Sequence, residues 1–248
     1  MKSSPKLLFQ TTILVSGLLA ASFPGLAADD LNVIYSTGFE RPDYTPKDQL
    51  KDERFFDRWY GSGDGGSCIV KITDEEAHEG AQSLMMEDRT STGVPFVGRN
   101  MSEMITNAEV SVAVKLVAPD TAWRMDFRND EAITFMVAHG WNPEWNESGL
   151  IVRTEKNMGH ATPEDFIKGI SDSEIGYNPT EWNVISCRFD DKTKTFSLSV
   201  NGKVVLAIEK DDRVDWKFNR FYLATGWGSG DTPQLKAWFD DLVIAGKP

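Results

Sequence analysis

The polar segment HGWNPEWNESG (139–149) carries two tryptophans, Trp141 and Trp145, four residues apart around a proline. Indole rings in such a loop can stack on sugar rings, and the side-chain amide of Asn142 can bind a sugar hydroxyl. Trp227, in the glycine-rich segment ATGWGSGDT, supplies another loop indole. These residues predict a ligand-binding surface for carbohydrate. The alternative is that the indoles cap the end of a β-sandwich and keep their polar edges in water.

Strands are the elements that must hold these loops. AEVSVAVKLV (108–117) alternates apolar and polar residues, and TFSLSVNGKVVLAIE (195–209) reads as a hairpin whose turn is Asn201-Gly202. Strands are also predicted at 131–139, 148–154, 181–191, 220–227 and 235–244. Only TPEDFIKGI (162–170) has helix-start signals, and it predicts one or two helical turns. The pattern predicts an all-β fold with little helix: a two-sheet antiparallel β-sandwich, or jelly roll.

The N-terminus has the composition of a secretory signal peptide over residues 1–27. Lys2 and Lys6 precede an apolar stretch, and small residues precede a cleavage point after Ala27. An uncleaved membrane anchor is the alternative, but the apolar stretch is short for a span of about 20 residues. Nothing resembling a linker interrupts the rest, so residues 28–248 are predicted to form one domain. The sequence therefore predicts a secreted or periplasmic protein.

Charge and cysteine content limit the partners. The net charge is −12, which disfavours nucleic acid and anionic membranes as partners. A strongly anionic polysaccharide is also disfavoured unless the surface carries a local basic patch. Cys68 and Cys187 are the two cysteines, and in an oxidising compartment they would form one disulfide. The alternative is a pair of buried thiols.

Three segments carry a resemblance to a known family. They are GFE (38–40) at the start of the first strand, HEGAQSLMME (78–87), and EWNVISCRFDDKTKTFSLSVNGKVV (181–205) followed by WFDDLVI (238–244). In this order they resemble the concanavalin A-like jelly rolls, which include laminin G-like domains and sugar-binding modules of secreted carbohydrate-active proteins. The resemblance covers most of the chain after the leader. It implies the jelly-roll fold, whereas the motifs are too degenerate to specify an activity.

The resemblance also implies a structural calcium ion. In that fold the first and last strands lie side by side, which brings Glu40 near Asp240 and Asp241. Carboxylates at close range repel one another unless a cation or a proton lies between them, and calcium prefers oxygen ligands. Because side chains alternate along a strand, only one of the two aspartates is expected to face the site, and Asp240 is favoured. The alternative is that these acids are solvated charges that protect an edge strand.

Two enzyme classes share this kind of fold. Jelly-roll glucanases carry acids as E-x-D-x-E, and the nearest match, Glu209-Lys210-Asp211, lacks the last glutamate. Arg153-Thr154-Glu155 resembles the R-[ST]-E strand of alginate lyases, in which a His or Tyr removes a proton from a uronate. His139, His160 and Tyr177 are candidates for that base. The companion Q-x-H and Y-x-K strands of the lyases are missing.

These observations predict an exported carbohydrate-binding or glycan-binding protein with a structural calcium ion. A polysaccharide-degrading enzyme, lyase rather than hydrolase, is the first alternative. A protein-binding adhesive module is the second. HExxH, GxxxxGK[ST] and GxSxG motifs are absent, so the sequence offers no support for a metalloprotease, a phosphate-loop NTPase or an α/β-hydrolase.

Overall fold

The computed structural model describes residues 31–46, 58–60, 68–89, 95–130, 132–142, 146–155, 163–225 and 235–248. Their strands are β1 Asn32–Thr37, β2 Arg58–Tyr60, β3 Cys68–Thr73, β4 Ser83–Asp88, β5 Phe96–Ile105, β6 Asn107–Leu116, β7 Trp123–Asn129, β8 Ala132–Asn142, β9 Glu147–Glu155, β10 Phe166–Ser171, β11 Asn183–Asp190, β12 Thr195–Val200, β13 Lys203–Ile208, β14 Phe218–Thr225 and β15 Leu235–Lys247. A 3₁₀ turn (Pro163–Asp165) and a four-residue helix, α1 (Asp172–Ile175), are the helical elements among them. The leader predicted for residues 1–27 lies outside the described residues.

The strands form two antiparallel sheets packed as a sandwich. The eight-stranded sheet has the order β13-β12-β11-β6-β15-β4-β3, and β1 pairs with β15 beside this path. The seven-stranded sheet has the order β10-β9-β8-β7-β14-β5-β2. The predicted all-β sandwich is confirmed. No helix within the described ranges is long and apolar enough to cross a bilayer.

The core lies between the two sheets because each strand turns alternate residues inward. On β11 every second residue is buried, from Asn183 to Phe189. Phe127 lies at the centre of an aromatic cluster: its ring stacks on Phe135 with centroids 4.3 Å apart. Phe189, Phe218 and Phe221 approach the Phe127 ring edge-on at 5.3–5.5 Å. These offset and edge-on geometries are the favourable ones for aromatic rings.

The hairpin predicted at Asn201-Gly202 is confirmed. β12 and β13 are joined there, with Val200 opposite Lys203. Asn201 has φ 50° and Gly202 has φ 78°, the left-handed conformation that a tight primed turn requires. Asn201 and glycine adopt it readily, which is why the sequence identified this turn.

The helix predicted over 162–170 is wrong for most of its length. Pro163–Asp165 form only a single 3₁₀ turn, and Phe166–Ser171 form β10, which pairs with β9. Helix-start signals specify a first turn, but the open edge of β9 offers the following N–H and C=O groups a ladder of partners. Tertiary pairing therefore overrides the local signal.

The predicted disulfide is also wrong. Cys68 lies on β3 and Cys187 on β11, four positions apart in the same sheet. At about 4.8 Å per strand their separation is about 19 Å, whereas a disulfide needs Cα atoms within about 7 Å. No disulfide joins them, and both side chains are buried. The structure thus agrees with the alternative of two buried thiols.

Candidate functional site

A row of side chains crosses the outer face of the seven-stranded sheet. Tyr222 on β14 lies opposite both Gly98 on β5 and Asp126 on β7. Asp126 lies opposite Met136 on β8. Arg153 on β9 in turn lies opposite both Met136 and Phe166, the latter on β10. We call these six residues the cross-strand row; five strand spacings make it about 24 Å long.

Alternation places this row on the side of the sheet that faces away from the core. Its members are flanked along their strands by core residues: Phe127 next to Asp126, Val137 next to Met136 and Val152 next to Arg153. Successive side chains on a strand point to opposite faces. The polar members of the row therefore cannot be explained by packing between the sheets.

Asp126 is the centre of the row. Its side chain is only 1% exposed, and its Oδ2 accepts a hydrogen bond from Nη2 of Arg128 at 2.8 Å. Nε of Arg124 lies 3.3 Å from Asp126 Oδ1 but is not aligned for a hydrogen bond. Both guanidinium groups are more than four-fifths buried. Buried charges need such pairing, because an isolated one costs several kcal/mol.

Tyr222 lies between this charged centre and Gly98. The Arg128 guanidinium lies over its ring, 4.5 Å from the centroid. A Cβ at Gly98 would come within 2.3 Å of Tyr222 Cε1, so only glycine leaves space for the ring. The buried Tyr222 hydroxyl has no hydrogen-bond partner among the described residues. Because buried polar groups are nearly always bonded, this hydroxyl is a candidate ligand contact.

The other end of the row reaches solvent. Arg153 is half-buried, and its Nε lies 3.3 Å from Sδ of Met136. Phe166, on the edge strand β10, is 37% exposed. Ala138 and Ala224 lie on either side of Arg124 in the neighbouring row, and both are fully buried. The row thus runs from a buried phenol through charged groups to an exposed aromatic ring.

Of the residues predicted for sugar binding, Trp141 and Asn142 lie within the described part of the chain. Trp141 is 57% exposed at the end of β8, on the side of the strand that also carries His139. Asn142 follows it directly, so alternation places its side chain on the opposite side. Trp145 and Trp227 lie outside the described residues. Trp141 therefore remains the predicted aromatic platform for a sugar ring, and it is separate from the cross-strand row.

The catalytic base predicted for a lyase is wrong for two of its candidates. His139 is fully buried; its Nδ1 lies 3.1 Å from the Thr121 carbonyl oxygen and its Nε2 lies 2.9 Å from Asp172 Oδ2. Tyr177 packs against the His139 ring, with centroids 5.4 Å apart. Both residues lie on the inner side of the sheet, away from Arg153. His160 lies outside the described residues.

The residues nearest to the glucanase motif, Glu209 and Asp211, lie in a surface turn. Asp211 forms a bidentate ion pair with Arg213 in the turn after β13, which holds the pKa of Asp211 below its ordinary value. Glu209 is exposed just beyond the end of the same strand. The described contacts of Asp211 lie within this turn and do not involve the cross-strand row.

The acids of the first and last strands converge on one turn. We call Glu40, Asp240, Asp241 and residues 78–82 the terminal clasp. Oε1 of Glu40 accepts hydrogen bonds from the backbone N–H groups of Ala81 (2.6 Å) and Gln82 (2.8 Å). Oδ2 of Asp240 accepts from the N–H groups of His78 and Glu79, at 2.9 and 3.3 Å. The acids thus join both chain ends to the turn before β4.

Gly80 gives the clasp its close approach. It has φ 71°, and a Cβ there would lie 2.3 Å from Glu40 Oε1. Any side chain would push the carboxylate away from the Ala81 and Gln82 N–H groups. The glycine of HEGAQS is therefore needed both for its left-handed backbone and for its missing side chain.

The expectation that only one aspartate faces the clasp is wrong. Oδ2 of Asp241 lies 2.7 Å from Nδ1 of His78, while Asp240 binds the His78 backbone. A β-bulge explains this: Asp240 pairs with Ala113 and Val243 with Ser111, so two residues of β15 oppose one of β6. Asp241 accordingly has φ 46°. The extra residue breaks the alternation on which the expectation depended.

Asp240 is fully buried, and this changes its acidity. Burial raises the pKa of Asp240 and the neighbouring Asp241 carboxylate adds to the rise, whereas bonds from the backbone of His78, Asp241 and Glu79 oppose it; the resulting pKa is about 7. Oδ1 of Asp240 and Oδ1 of Asp241 both face the space beside Gly38, 3.8 and 3.3 Å from where a Cβ would stand. Two carboxylates thus border a small space, and a proton or a cation there could neutralise their negative charge.

The sequence contains a recognisable signal for the centre of the cross-strand row. In WRMDFRN (123–129) the charged residues Arg124, Asp126 and Arg128 occupy every second position of a strand whose other positions are apolar. In the structure both arginines lie beside Asp126. What the sequence lacks is the register that adds Tyr222, Met136 and Arg153 from three other strands.

Comparison with known proteins places the fold. No protein-family model matches the sequence, and no curated protein matches it. Among solved structures, Cip1, a cellulose-induced protein, is similar with a TM-score of 0.58 and 14% identity over 86% of this chain and 97% of that one. An endo-β-1,4-glucuronan lyase from the fungus Trichoderma reesei has a TM-score of 0.57 and 13% identity over 87% and 96%.

A third similar structure comes from work on endo-acting O-glycanases of the human gut microbiota that initiate mucin breakdown. Its TM-score is 0.56, with 13% identity over 88% of this chain and all of that one. At such identities the likeness shows the fold alone. The predicted concanavalin A-like jelly-roll fold is therefore confirmed, and the names of two of these three structures describe action on carbohydrate.

Proposed function

We propose that the protein binds a polysaccharide across the outer face of the seven-stranded sheet, and that it does so outside the cytoplasm. The cross-strand row carries this proposal. The row is about 24 Å long, with buried polar groups at its centre, a half-buried arginine and an exposed aromatic ring, Phe166, at its edge. Such a mixture of aromatic and convergent polar groups is what sugar rings require.

Two further observations support the proposal. The similar structures include a glucuronan lyase and an O-glycanase, whose names describe action on carbohydrate. The leader predicted at residues 1–27 would export the chain to where polysaccharides are found. Among the described residues, the row is also the place where a carboxylate, guanidinium groups and a partnerless phenol occur together away from the core.

The test is a binding screen with matched variants of the mature protein. Phe166→Ala is expected to weaken retention on the bound polysaccharide about three- to tenfold, because an aromatic–sugar contact is worth about 1 kcal/mol. Val117→Ala, which changes another exposed apolar residue, is the matched control and is expected to bind as the wild type. Thermal melting of each variant checks that it is folded.

Other outcomes assign the site differently. If Trp141→Ala abolishes binding while Phe166→Ala has no effect, the ligand lies at the end of the sandwich rather than on the row. Release of an unsaturated product, read by its ultraviolet absorbance, would show lyase turnover. Absence of binding to every glycan would contradict the proposal and favour a protein-binding adhesive module.

We also propose a structural calcium ion at the terminal clasp. Glu40, Asp240 and Asp241 supply the carboxylate oxygens, and the space beside Gly38 receives Oδ1 of both aspartates. Calcium takes six to eight oxygen ligands, so backbone carbonyls would complete the shell. His78 also approaches: ligand atoms of His78, Glu79 and Asp241 lie within 4.8 Å of one another. Because calcium favours oxygen, the imidazole would remain bonded to Asp241 rather than to the ion.

Removing calcium is expected to lower the melting temperature. An ion that binds the folded chain alone stabilises it by about 2.7 kcal/mol at a concentration 100 times its Kd, or about 5–10 °C for a chain of this size. The measurement is thermal melting at neutral pH with calcium and with a chelator. Asp241→Asn is expected to remove most of the difference. Equal melting temperatures in calcium and in chelator would contradict the proposal.

A further inference from the structure

The sheet face around the cross-strand row is rich in arginine, whereas the protein as a whole is acidic. The chain has a net charge of −12, yet Arg153 lies within the row and Arg124, Arg128 and Arg220 lie directly beside it. Asp126 is the one carboxylate among the row's six members. The sequence disfavoured an anionic ligand unless a local basic patch existed, and this face provides that patch.

The register between β14 and β7 brings two arginines directly opposite each other. Arg220 on β14 pairs directly with Arg128 on β7, on the same face of the sheet. Like charges directly opposite each other on neighbouring strands destabilise a sheet. Arg128 already bonds Asp126, which also faces Arg124. One buried carboxylate therefore faces at least two guanidinium groups, and a third lies one strand away.

Guanidinium groups favour a particular kind of ligand. Their planar forks bind carboxylates and other oxyanions through two parallel hydrogen bonds, which compact ammonium groups cannot do. The Tyr222 hydroxyl, buried and without a partner among the described residues, adds a hydroxyl donor beside Arg128. A sugar oxyanion bound there would receive both kinds of bond.

We propose that the polysaccharide bound by this face carries repeated anionic groups, carboxylate or sulfate, which the arginines of the cross-strand row and its flanks recognise. This inference rests on the proposed function. It adds the chemical class of the ligand: an acidic polysaccharide rather than a neutral one.

The experiment measures binding of the mature protein to three polymers at low and at high salt. The probes are polygalacturonate for carboxylate, dextran sulfate for sulfate, and mannan as the neutral polymer. Arg153→Gln is the first variant because Arg153 is the arginine within the row and its loss leaves the Asp126 ion pairs with Arg124 and Arg128 intact. Arg128→Gln is the second, and Arg124 then remains to face Asp126.

We expect binding to an anionic polymer that weakens as salt is raised. Each variant is expected to reduce that affinity about tenfold, the effect of losing one charge-assisted contact. Arg153→Lys keeps the charge without the fork and should lie between wild type and Arg153→Gln. The matched control is Arg188→Gln, which removes an arginine paired with Glu109 on the outer face of the other sheet. It should bind as the wild type.

Each other result decides between the two proposals. Equal binding of mannan and polygalacturonate, without salt dependence, overturns the anionic ligand but leaves polysaccharide binding in place. Binding of dextran sulfate alone supports the inference and identifies sulfate as the source of the charge. Equal loss in Arg153→Gln and Arg188→Gln overturns it, because net charge rather than this face would then govern binding. Failure to bind any polymer contradicts the proposed function itself.

Discussion

Phe127→Ala is expected to lower the free energy of unfolding by about 3–5 kcal/mol. The side chain is fully buried and contacts four other phenylalanine rings, one stacked and three edge-on. Truncation removes the transfer energy of the ring and leaves a cavity that rigid neighbouring strands cannot close. The melting temperature should fall by about 10 °C or more. Chemical denaturation monitored by fluorescence measures the change.

Val33→Ala is the control for this prediction. Val33 is 64% exposed on β1, so its truncation should change stability by no more than about 0.5 kcal/mol. A loss below about 1 kcal/mol for Phe127→Ala would contradict the packing described between the two sheets.

In the presence of a chelator, the protein is expected to lose stability as pH rises from about 4 to about 7. Burial raises the pKa of Asp240 from its ordinary value of 3.8 to about 7. Between these two values the folded chain binds a proton that the unfolded chain has released, so the free energy of unfolding falls with increasing pH. Since one pKa unit corresponds to about 1.4 kcal/mol, the total loss is up to about 4 kcal/mol. Urea denaturation at several pH values measures it.

Asp240→Asn isolates this contribution. The amide does not titrate, so the variant should lack the decrease between pH 4 and 7, whatever its absolute stability. Asp215→Asn, which changes an exposed aspartate, should retain the decrease. An unchanged pH profile in Asp240→Asn would show that another group governs the slope.

The sequence predicted the fold well because a β-sandwich depends on alternation and turns, and both are local signals. The hairpin at Asn201-Gly202 and the strands around Phe127 follow from them directly. The convergence of Glu40 with Asp240 and Asp241 followed from the resemblance to jelly rolls, which supplied the pairing of first and last strands. The sequence did not predict that both aspartates contact the terminal clasp. That contact depends on a bulge in β15, and the bulge depends on how β15 pairs with both β6 and β1.

The cross-strand row was beyond the sequence for a different reason. Its six members come from six strands, and separations of up to 124 residues along the chain divide opposite neighbours such as Tyr222 and Gly98. Period-two patterns give the face of each residue but not its register with a distant strand. Trp141 and Asn142 show the converse: they are neighbours in sequence, yet alternation places their side chains on opposite sides of β8.

The position of β15 has a consequence for how the chain is made. Residues 235–247 follow every other described strand in the sequence, yet they pair with β6, β4 and β1 in the interior of the eight-stranded sheet. Until the ribosome has released them, β6 and β4 have no partner between them and the sheet has a gap at its centre. Such dependence on contacts distant in sequence slows folding. The eight-stranded sheet is therefore completed only after β15 has been made, and until then the facing edges of β6 and β4 are open to wrong pairing, which chaperones can prevent.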